Sequence, residues 1–176
     1  MLLKILDGLE AIHAFIQSGG PILYVIAIMT FVMWTLLFER FWFYKGSLSG
    51  VVSAVMDRWE SRAERKSWNA HQIRRQMISQ VDERINTNLE IIATIVALCP
   101  LLGLMGTVTG MIDVFNVLAL TGGGDAKSMA SGVSRATIPT MAGMVAAISG
   151  VFGTTLVNQI AVREGQLLED HLTMDH

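Results

Sequence analysis

The sequence has a single cysteine and few charged residues, and each shortage excludes a class of protein. One cysteine, Cys99, cannot form a disulfide framework or a cysteine-rich zinc site. Charged residues make up 16% of the chain, whereas an average soluble domain has about 25%. The formal net charge of −2 gives no basic surface for nucleic acid, so we expect no nucleic-acid partner.

The sequence also lacks a catalytic or metal-binding constellation. It has four histidines, all outside the apolar stretches described below: His13, His71, His171 and His176. The glycine-rich segment 121–128 lacks the glycine before Lys127 and the preceding strand that a phosphate-binding loop requires. We therefore expect no enzymatic activity, no cofactor and no metal.

The charged residues that are present avoid three long apolar windows. The windows are Pro21–Phe38, Ile91–Ile112 and Ala136–Val162, and none contains Asp, Glu, Lys or Arg. A hydrocarbon core of about 30 Å requires about 20 helical residues, which each window approximately supplies. The sequence therefore predicts an all-α membrane protein with three transmembrane helices.

These windows divide the chain into predicted segments. They are an amphipathic interfacial helix at 1–19, transmembrane helix 1 at 20–44 with its aromatic belt, a helical loop at 45–90, transmembrane helix 2 at 91–112, a second loop at 113–135, transmembrane helix 3 at 136–162, and a C-terminal tail at 163–176. The apolar residues of the first loop recur every fourth position without a breaker and predict one helix from about His71 to Ile112. The third helix is also expected to project beyond the membrane.

Basic residues predict how the chain is oriented. The loop 45–90 contains eight lysines and arginines, whereas 113–135 contains two and the N-terminal segment one. The positive-inside rule then places 45–90 in the cytoplasm. With three spans, the N-terminus is expected in the periplasm and the C-terminus in the cytoplasm.

The second and third spans are rich in small residues, unlike the first. Lipid provides no hydrophobic drive for helix association, so small residues mark helix–helix contacts. The predicted packing or pore stripe consists of Pro100, Gly103, Gly106, Gly110, Gly143, Ala147 and Thr154. Three helices cannot readily bury both faces of two such spans, and we therefore expect a homo-oligomer.

Two threonines lie at similar depth on these stripes. Thr107 and Thr140 lie about 7.5 and 6 Å inside the outer ends of their spans, from a rise of about 1.5 Å per residue. Their hydroxyls could line one polar path. Alternatively, each hydroxyl simply bonds the carbonyl of its own preceding turn, as is usual for a membrane threonine.

No carboxylate lies at mid-membrane. Glu39 marks the inner interface, and Asp113 and Arg135 the outer interface, where Asp113 is expected to cap a helix or to be solvated. If the chain conducts protons, the titrating group must therefore come from a partner.

Two motifs resemble a known family. Residues Cys99–Met111, CPLLGLMGTVTGM, are similar to the second-span signature of the MotA/TolQ/ExbB proton channel family. Residues Gly132–Met144, GVSRATIPTMAGM, are similar to its third-span signature. The nearest type is a short ExbB-like subunit of a TonB energising system, followed by TolQ of the Tol envelope-maintenance system.

The resemblance implies a subunit of a complex in the bacterial inner membrane that uses proton-motive force. It implies a homopentamer around single-span ExbD-like helices that bring the protonatable aspartate, with a TonB-like protein as the energised partner. The family's pore-lining threonines fall on Thr107 and Thr140. Longer ExbB members open the third span with a glutamate, and this chain departs from that pattern with Arg135. A scaffold that only holds the partner helix is the alternative from a different class.

Overall fold

The computed structural model describes residues 19–62, 64, 67–121 and 126–171, together with Glu10 and Phe15; in the last helix, side chains are described for 129–170. All regular secondary structure in these ranges is helical. The elements are α1 (Gly20–Trp42), a π-helical turn (Phe43–Ser47), α2 (Leu48–Glu60), α3 (Trp68–Asn86), α4 (Leu89–Thr121) and α5 (Ala126–His171). The prediction of an all-α chain is confirmed. Apart from Glu10, Phe15 and Gly19, the predicted interfacial helix at 1–19 lies outside the described residues.

Three helical stretches are long and apolar enough to cross a membrane, as the sequence predicted: Gly20–Glu60, Trp68–Leu120 and Met129–Asp170. Within the single chain, only 28%, 33% and 28% of their apolar windows are buried. The large exposed side chains are themselves apolar, for example Phe31, Leu101 and Phe152. Such surfaces suit lipid or other chains rather than water, so the chain is a multi-pass membrane protein.

Helix α1 begins at a glycine–proline pair for a local reason. Gly20 has φ of +70°, in the left-handed region that favours glycine. Pro21 follows in the first turn, where its missing N–H costs no helical hydrogen bond. Further along, the Thr30 hydroxyl donates to the Ile26 carbonyl at 2.7 Å, so this threonine is satisfied within its own helix.

The single helix expected from His71 to Ile112 is wrong, because the chain bends at Thr87 and Asn88. Helix α3 ends at Asn86 and α4 begins at Leu89. Thr87 is extended, with φ of −52° and ψ of 137°, and Asn88 has φ of +63°. Asparagine tolerates the left-handed conformation better than most residues with a side chain. The apolar residues still recur every fourth position through this point, because both helices bury the same face. This recurrence does not require an unbroken helix.

Helices α4 and α5 extend beyond the apolar windows. Helix α4 continues to Thr121 and α5 starts at Ala126, so the described parts of the predicted loop 113–135 are helical. Asp113 is consequently exposed inside α4 rather than at a helix cap. No membrane boundary is set by these helix ends, and the predicted segment limits and sidedness stay predictions.

The described residues form two compact units. The first unit comprises those of 1–33 and 94–151. Its buried residues come from the first half of α1, from α4 and from α5: Ile22, Leu23, Ile26, Met33, Ile95, Val96, Cys99, Ala136, Ala146 and Ala147. All three of the α5 side chains in this core are alanines, so α5 approaches its neighbours closely.

The second unit comprises the described residues of 34–93 and 152–176. Its core cluster is formed by Leu48, Trp59, Ala70, Met77, Val81, Ile85, Ala161 and Leu168. Helix α3 contributes Met77, Val81 and Ile85 at successive fourth positions, which places them on one face. Arg74 of α3 also donates from Nη2 to the Glu169 carbonyl of α5 at 2.9 Å.

Candidate functional site: the α4–α5 seam and its threonines

Helices α4 and α5 are in close backbone contact along a seam of small residues. A methyl group added at Gly143 of α5 would lie 2.5 Å from the Cys99 carbonyl oxygen and 3.1 Å from the Gly103 Cα. A methyl group at Gly103 of α4 would in turn lie 2.9 Å from the Thr140 Cα. The two helices therefore touch through their backbones at this point, and side chains on both would separate them.

The seam continues toward the far ends of both helices. A Cβ at Gly106 would collide with the Pro139 ring, and one at Gly110 would lie 2.7 Å from the Ala136 Cβ. Residue numbers rise along α4 as they fall along α5, so the two helices are antiparallel. Three of the four glycines in the predicted stripe thus lie on α4 and face α5 of the same chain. Packing within one chain is therefore enough to explain why these residues are glycines, and no contact with another subunit is needed for it.

Thr140 makes the polar bond of this seam. Its hydroxyl donates to the Gly103 carbonyl at 2.9 Å, across the helix pair. The bond is partly buried, and it is short because Gly103 has no side chain to hold the α5 backbone away. The Thr140 hydroxyl therefore bonds the neighbouring helix, and not the carbonyl of its own preceding turn.

Thr107 differs from Thr140. Its hydroxyl donates to the Leu104 carbonyl of its own helix at 2.7 Å, on the exposed side of α4. This is the local bond expected of a membrane threonine, although to the third rather than the fourth preceding carbonyl. The structure therefore gives the two predicted path residues different partners, and no hydrogen bond joins them.

The remaining predicted positions are distributed along the same helices. Ala147 is buried, whereas Pro100 and Thr154 are partly buried. Asp113 and Arg135 are both exposed, inside α4 and α5 respectively. Glu39 is exposed and forms an ion pair with Arg40 at 3.0 Å.

Sequence reasoning missed Arg40, which lies two residues beyond the first apolar window. Arg40 is 5% exposed and is the one buried charged residue among those described. A charged pair directly before an aromatic run, Phe41–Tyr44, was the available signal, because aromatic rings can cover a guanidinium.

Thr140→Val tests the seam bond. Valine keeps the shape but cannot donate to the Gly103 carbonyl, so we expect a loss of about 1 kcal/mol in the free energy of unfolding in detergent. Thr140→Ser retains the hydroxyl and is the matched control. Equal stability of the valine and serine variants would contradict a stabilising bond between the helices.

Most of this chain matches a known protein family. The profile of the MotA/TolQ/ExbB proton channel family matches residues 45–170, which include all of α4 and nearly all of α5. The chain belongs to this family. The two signature motifs noted in the sequence, Cys99–Met111 and Gly132–Met144, are the segments that form the seam. The family is one of channel subunits, not of enzymes.

Individual relatives agree with the family assignment. A Synechocystis protein named biopolymer transport protein ExbB-like 1 is 30% identical over 163 residues, covering 74% of this chain and 64% of its own. The biopolymer transport protein exbB1 of Vibrio cholerae is 37% identical over 90 residues, covering 51% of this chain and 40% of its own. The Tol-Pal system protein TolQ of Pseudomonas aeruginosa is 31% identical over 96 residues, covering 54% and 40%. The chain spans less than two-thirds of the length of these curated relatives.

Proposed function

We propose that the chain is the ExbB-like channel subunit of a complex that converts proton-motive force into work on a TonB-like protein, and so energises outer-membrane transport. The observation that carries this proposal is the missing acid. A member of a proton channel family has no carboxylate in any of its three apolar windows. Proton transfer at mid-membrane needs a titrating group, so a partner helix with a buried aspartate must supply it.

The proposed assembly is a homopentamer in the bacterial inner membrane, with the N-terminus in the periplasm and 45–90 in the cytoplasm. Single-span ExbD-like subunits would lie inside the ring and bring the aspartate. The low burial of the three apolar windows supports an assembly in which lipid and other protein chains cover the exposed faces.

The two threonines suit contact with a carboxyl group. Each hydroxyl proton is already used, by the Leu104 carbonyl for Thr107 and by the Gly103 carbonyl for Thr140. The lone pairs of both hydroxyl oxygens therefore remain able to accept a hydrogen bond, for example from a protonated carboxylic acid. A rotated hydroxyl would instead donate to the ionised carboxylate. We propose that both threonines serve the partner aspartate in this way.

The seam glycines have a different proposed role. Because Gly103, Gly106, Gly110 and Gly143 pack α4 against α5 within one chain, they would make each helix pair rigid. The partner helix would then lie beside the pair rather than against the glycines themselves. The glycines of the stripe therefore have a packing role in this proposal, and the pore-lining role belongs to Thr107 and Thr140.

Proton flux with the partner present tests the proposal. The subunit and its copurified single-span partner would be reconstituted in vesicles, and proton uptake measured under an imposed potential. Thr107→Val and Thr140→Val are each expected to reduce uptake about fivefold to tenfold, the effect of one lost hydrogen bond, while the complex still assembles. Thr107→Ser and Thr140→Ser, which keep the hydroxyl, are the controls.

Two outcomes would overturn the threonine path. Unchanged uptake in both valine variants would contradict it directly. Loss of assembly in the valine variants would instead support the scaffold alternative, in which the chain only holds the partner helix.

A TolQ-like role in envelope maintenance is the second candidate, and it is favoured by the match to a Tol-Pal protein. The two systems differ in their phenotype rather than in their membrane chemistry. Loss of receptor-dependent uptake after deletion of the gene would support the ExbB-like role. A leaky envelope with normal uptake would support the TolQ-like role.

A further inference from the structure

Near the end of α1, the buried guanidinium of Arg40 forms hydrogen bonds with two residues and lies beside an aromatic ring. Arg40 donates from Nε and Nη2 to the two carboxylate oxygens of Glu39 at 3.1 and 3.0 Å. Its Nη1 donates to the Arg84 carbonyl at 3.1 Å, and its central carbon lies 5.2 Å from the centroid of the Phe43 ring. Arg40 is thus a fork that joins α1 to the backbone of α3.

Tyr44 makes a second bond of the same kind, one turn further along. Its hydroxyl donates to the Ile85 carbonyl at 2.8 Å. Positions 40 and 44 are four apart and lie on one face, so both side chains reach the same part of α3. The backbone at Tyr44 belongs to the π-helical turn Phe43–Ser47, which follows α1 directly.

The acceptors are the last carbonyls of α3. The final four carbonyls of an α-helix, here those of residues 83–86, have no partner within the helix. Three of them accept side-chain bonds: Glu83 from the Thr87 hydroxyl at 2.7 Å, Arg84 from Arg40 and Ile85 from Tyr44. The positive guanidinium also lies at the end of the helix where the backbone dipoles are negative.

The capped end lies immediately before the bend. Asn88 has φ of +63°, and its carbonyl accepts the Ile92 N–H at 3.0 Å, which begins the hydrogen bonds of α4. The local sequence supplies only the Thr87 bond to the end of α3. The other two come from a segment more than 40 residues away along the chain.

We propose that Arg40 and Tyr44 are positioning residues that cap α3 from outside and thereby hold the Thr87–Asn88 bend between α3 and the first turn of α4. Without the two remote bonds, the Arg84 and Ile85 carbonyls would be left without these partners, which favours fraying of the last turn of α3.

Hydrogen exchange on the full chain in detergent tests the cap. In Tyr44→Phe, the amides of residues 83–92 are expected to exchange about fivefold faster, the effect of one lost hydrogen bond. In Arg40→Gln the expected increase is about tenfold or more, because the bond involves a charged donor. As controls at exposed positions, Tyr24→Phe removes a phenol hydroxyl and Lys45→Gln removes a positive charge, and both should leave these amides unchanged.

Arg40→Lys separates a capping fork from a simple positive charge. A lysine ammonium keeps the charge but cannot reproduce the planar fork that reaches Glu39 and the Arg84 carbonyl together. We expect exchange at 83–92 to be as fast as in Arg40→Gln. Wild-type exchange in the lysine variant would overturn the role given to the guanidinium.

A distance across the bend provides the second measurement. Spin labels at Ser79 of α3 and Ala93 of α4, both exposed, should give a narrow distance distribution in the otherwise unchanged chain. Tyr44→Phe and Arg40→Gln are expected to broaden it, and the control variants are not. Unbroadened distances, or an exchange increase spread equally over α2 and α5, would overturn the proposal.

Discussion

Gly143→Ala is expected to destabilise the chain by about 3 kcal/mol, because the added methyl group meets backbone atoms that cannot rotate away. The new Cβ would lie 2.5 Å from the Cys99 carbonyl oxygen, 3.1 Å from the Gly103 Cα and 3.2 Å from the Gly103 N. Helix α4 must therefore move away from α5 as a whole. That movement also stretches the neighbouring bond from Thr140 to the Gly103 carbonyl.

One favourable effect opposes this cost but is smaller. Alanine gains about 1 kcal/mol over glycine in a helix interior, because the unfolded glycine chain has more conformational freedom. Overpacking costs about 1–3 kcal/mol, and the lost hydrogen bond adds about 1 kcal/mol. The sum clearly exceeds the gain when the atoms around the new methyl group cannot move aside. All three nearest atoms are backbone atoms of α4, which places Gly143 at the upper end of this range.

Gly50→Ala is the matched control. Gly50 also lies inside a helix, α2, but nothing lies within 4 Å of an added Cβ. It should keep only the favourable effect and be neutral or more stable by up to about 1 kcal/mol. Thermal unfolding in detergent of both variants provides the measurement. A Gly143→Ala variant as stable as Gly50→Ala would disprove the close seam.

Leu168→Ala is expected to have an effect of similar size in the second unit, about 3 kcal/mol of unfolding free energy. Leu168 is 1% exposed and belongs to the core cluster that contains Trp59, Val81 and Ile85. Removing a fully buried leucine side chain loses its transfer free energy and leaves a cavity, at a cost of about 2–5 kcal/mol.

The adjacent leucine provides the comparison for this substitution. Leu167 lies in the same helix and has the same chemistry, but it is 39% exposed. We expect Leu167→Ala to cost only about 1 kcal/mol, because a large part of this side chain is already exposed and its removal leaves no enclosed cavity. Unfolding followed by circular dichroism in the same detergent would measure both. Equal losses for the two variants would mean that α5 does not pack on this core as described.

The seam and the cap show two ways in which this chain joins its helices. At the seam, small residues let backbones touch, so the contact depends on shape and tolerates no added atom. At the cap, a buried guanidinium and a phenol satisfy backbone carbonyls, so the contact depends on hydrogen-bond geometry. The two kinds of contact respond differently to substitution: alanine is disruptive in the seam, whereas a lost donor is disruptive at the cap.

The family and its general architecture were readable from the sequence. Three windows without charge predict three apolar helices, since a charged side chain is costly in hydrocarbon. The signature motifs around Thr107 and Thr140 resemble the MotA/TolQ/ExbB family, to which the chain belongs. The absence of an acid in the windows is likewise a property of composition, and needs no coordinates.

Helix limits and the partners of the threonines were not readable in this way. The periodicity through residues 73–89 is the same for a straight helix and for two helices that share a buried face. Only the left-handed Asn88 and the capped carbonyls before it reveal the bend. Similarly, the spacing of Thr107 and Thr140 allowed either a shared polar path or a local bond for each hydroxyl, and it did not predict the bond from Thr140 to the Gly103 carbonyl.

The sequence by itself therefore determined which segments suit the membrane and which suit water, because hydropathy depends on composition alone. What the tertiary structure decided is which surfaces meet. The same glycines could face another subunit or the neighbouring helix, and they face each other's helices, α4 and α5, within one chain. Sequence reasoning assigned no role to Arg40, and the fold buries it against a helix end. Both outcomes depend on atoms far apart in the chain, which local patterns do not encode.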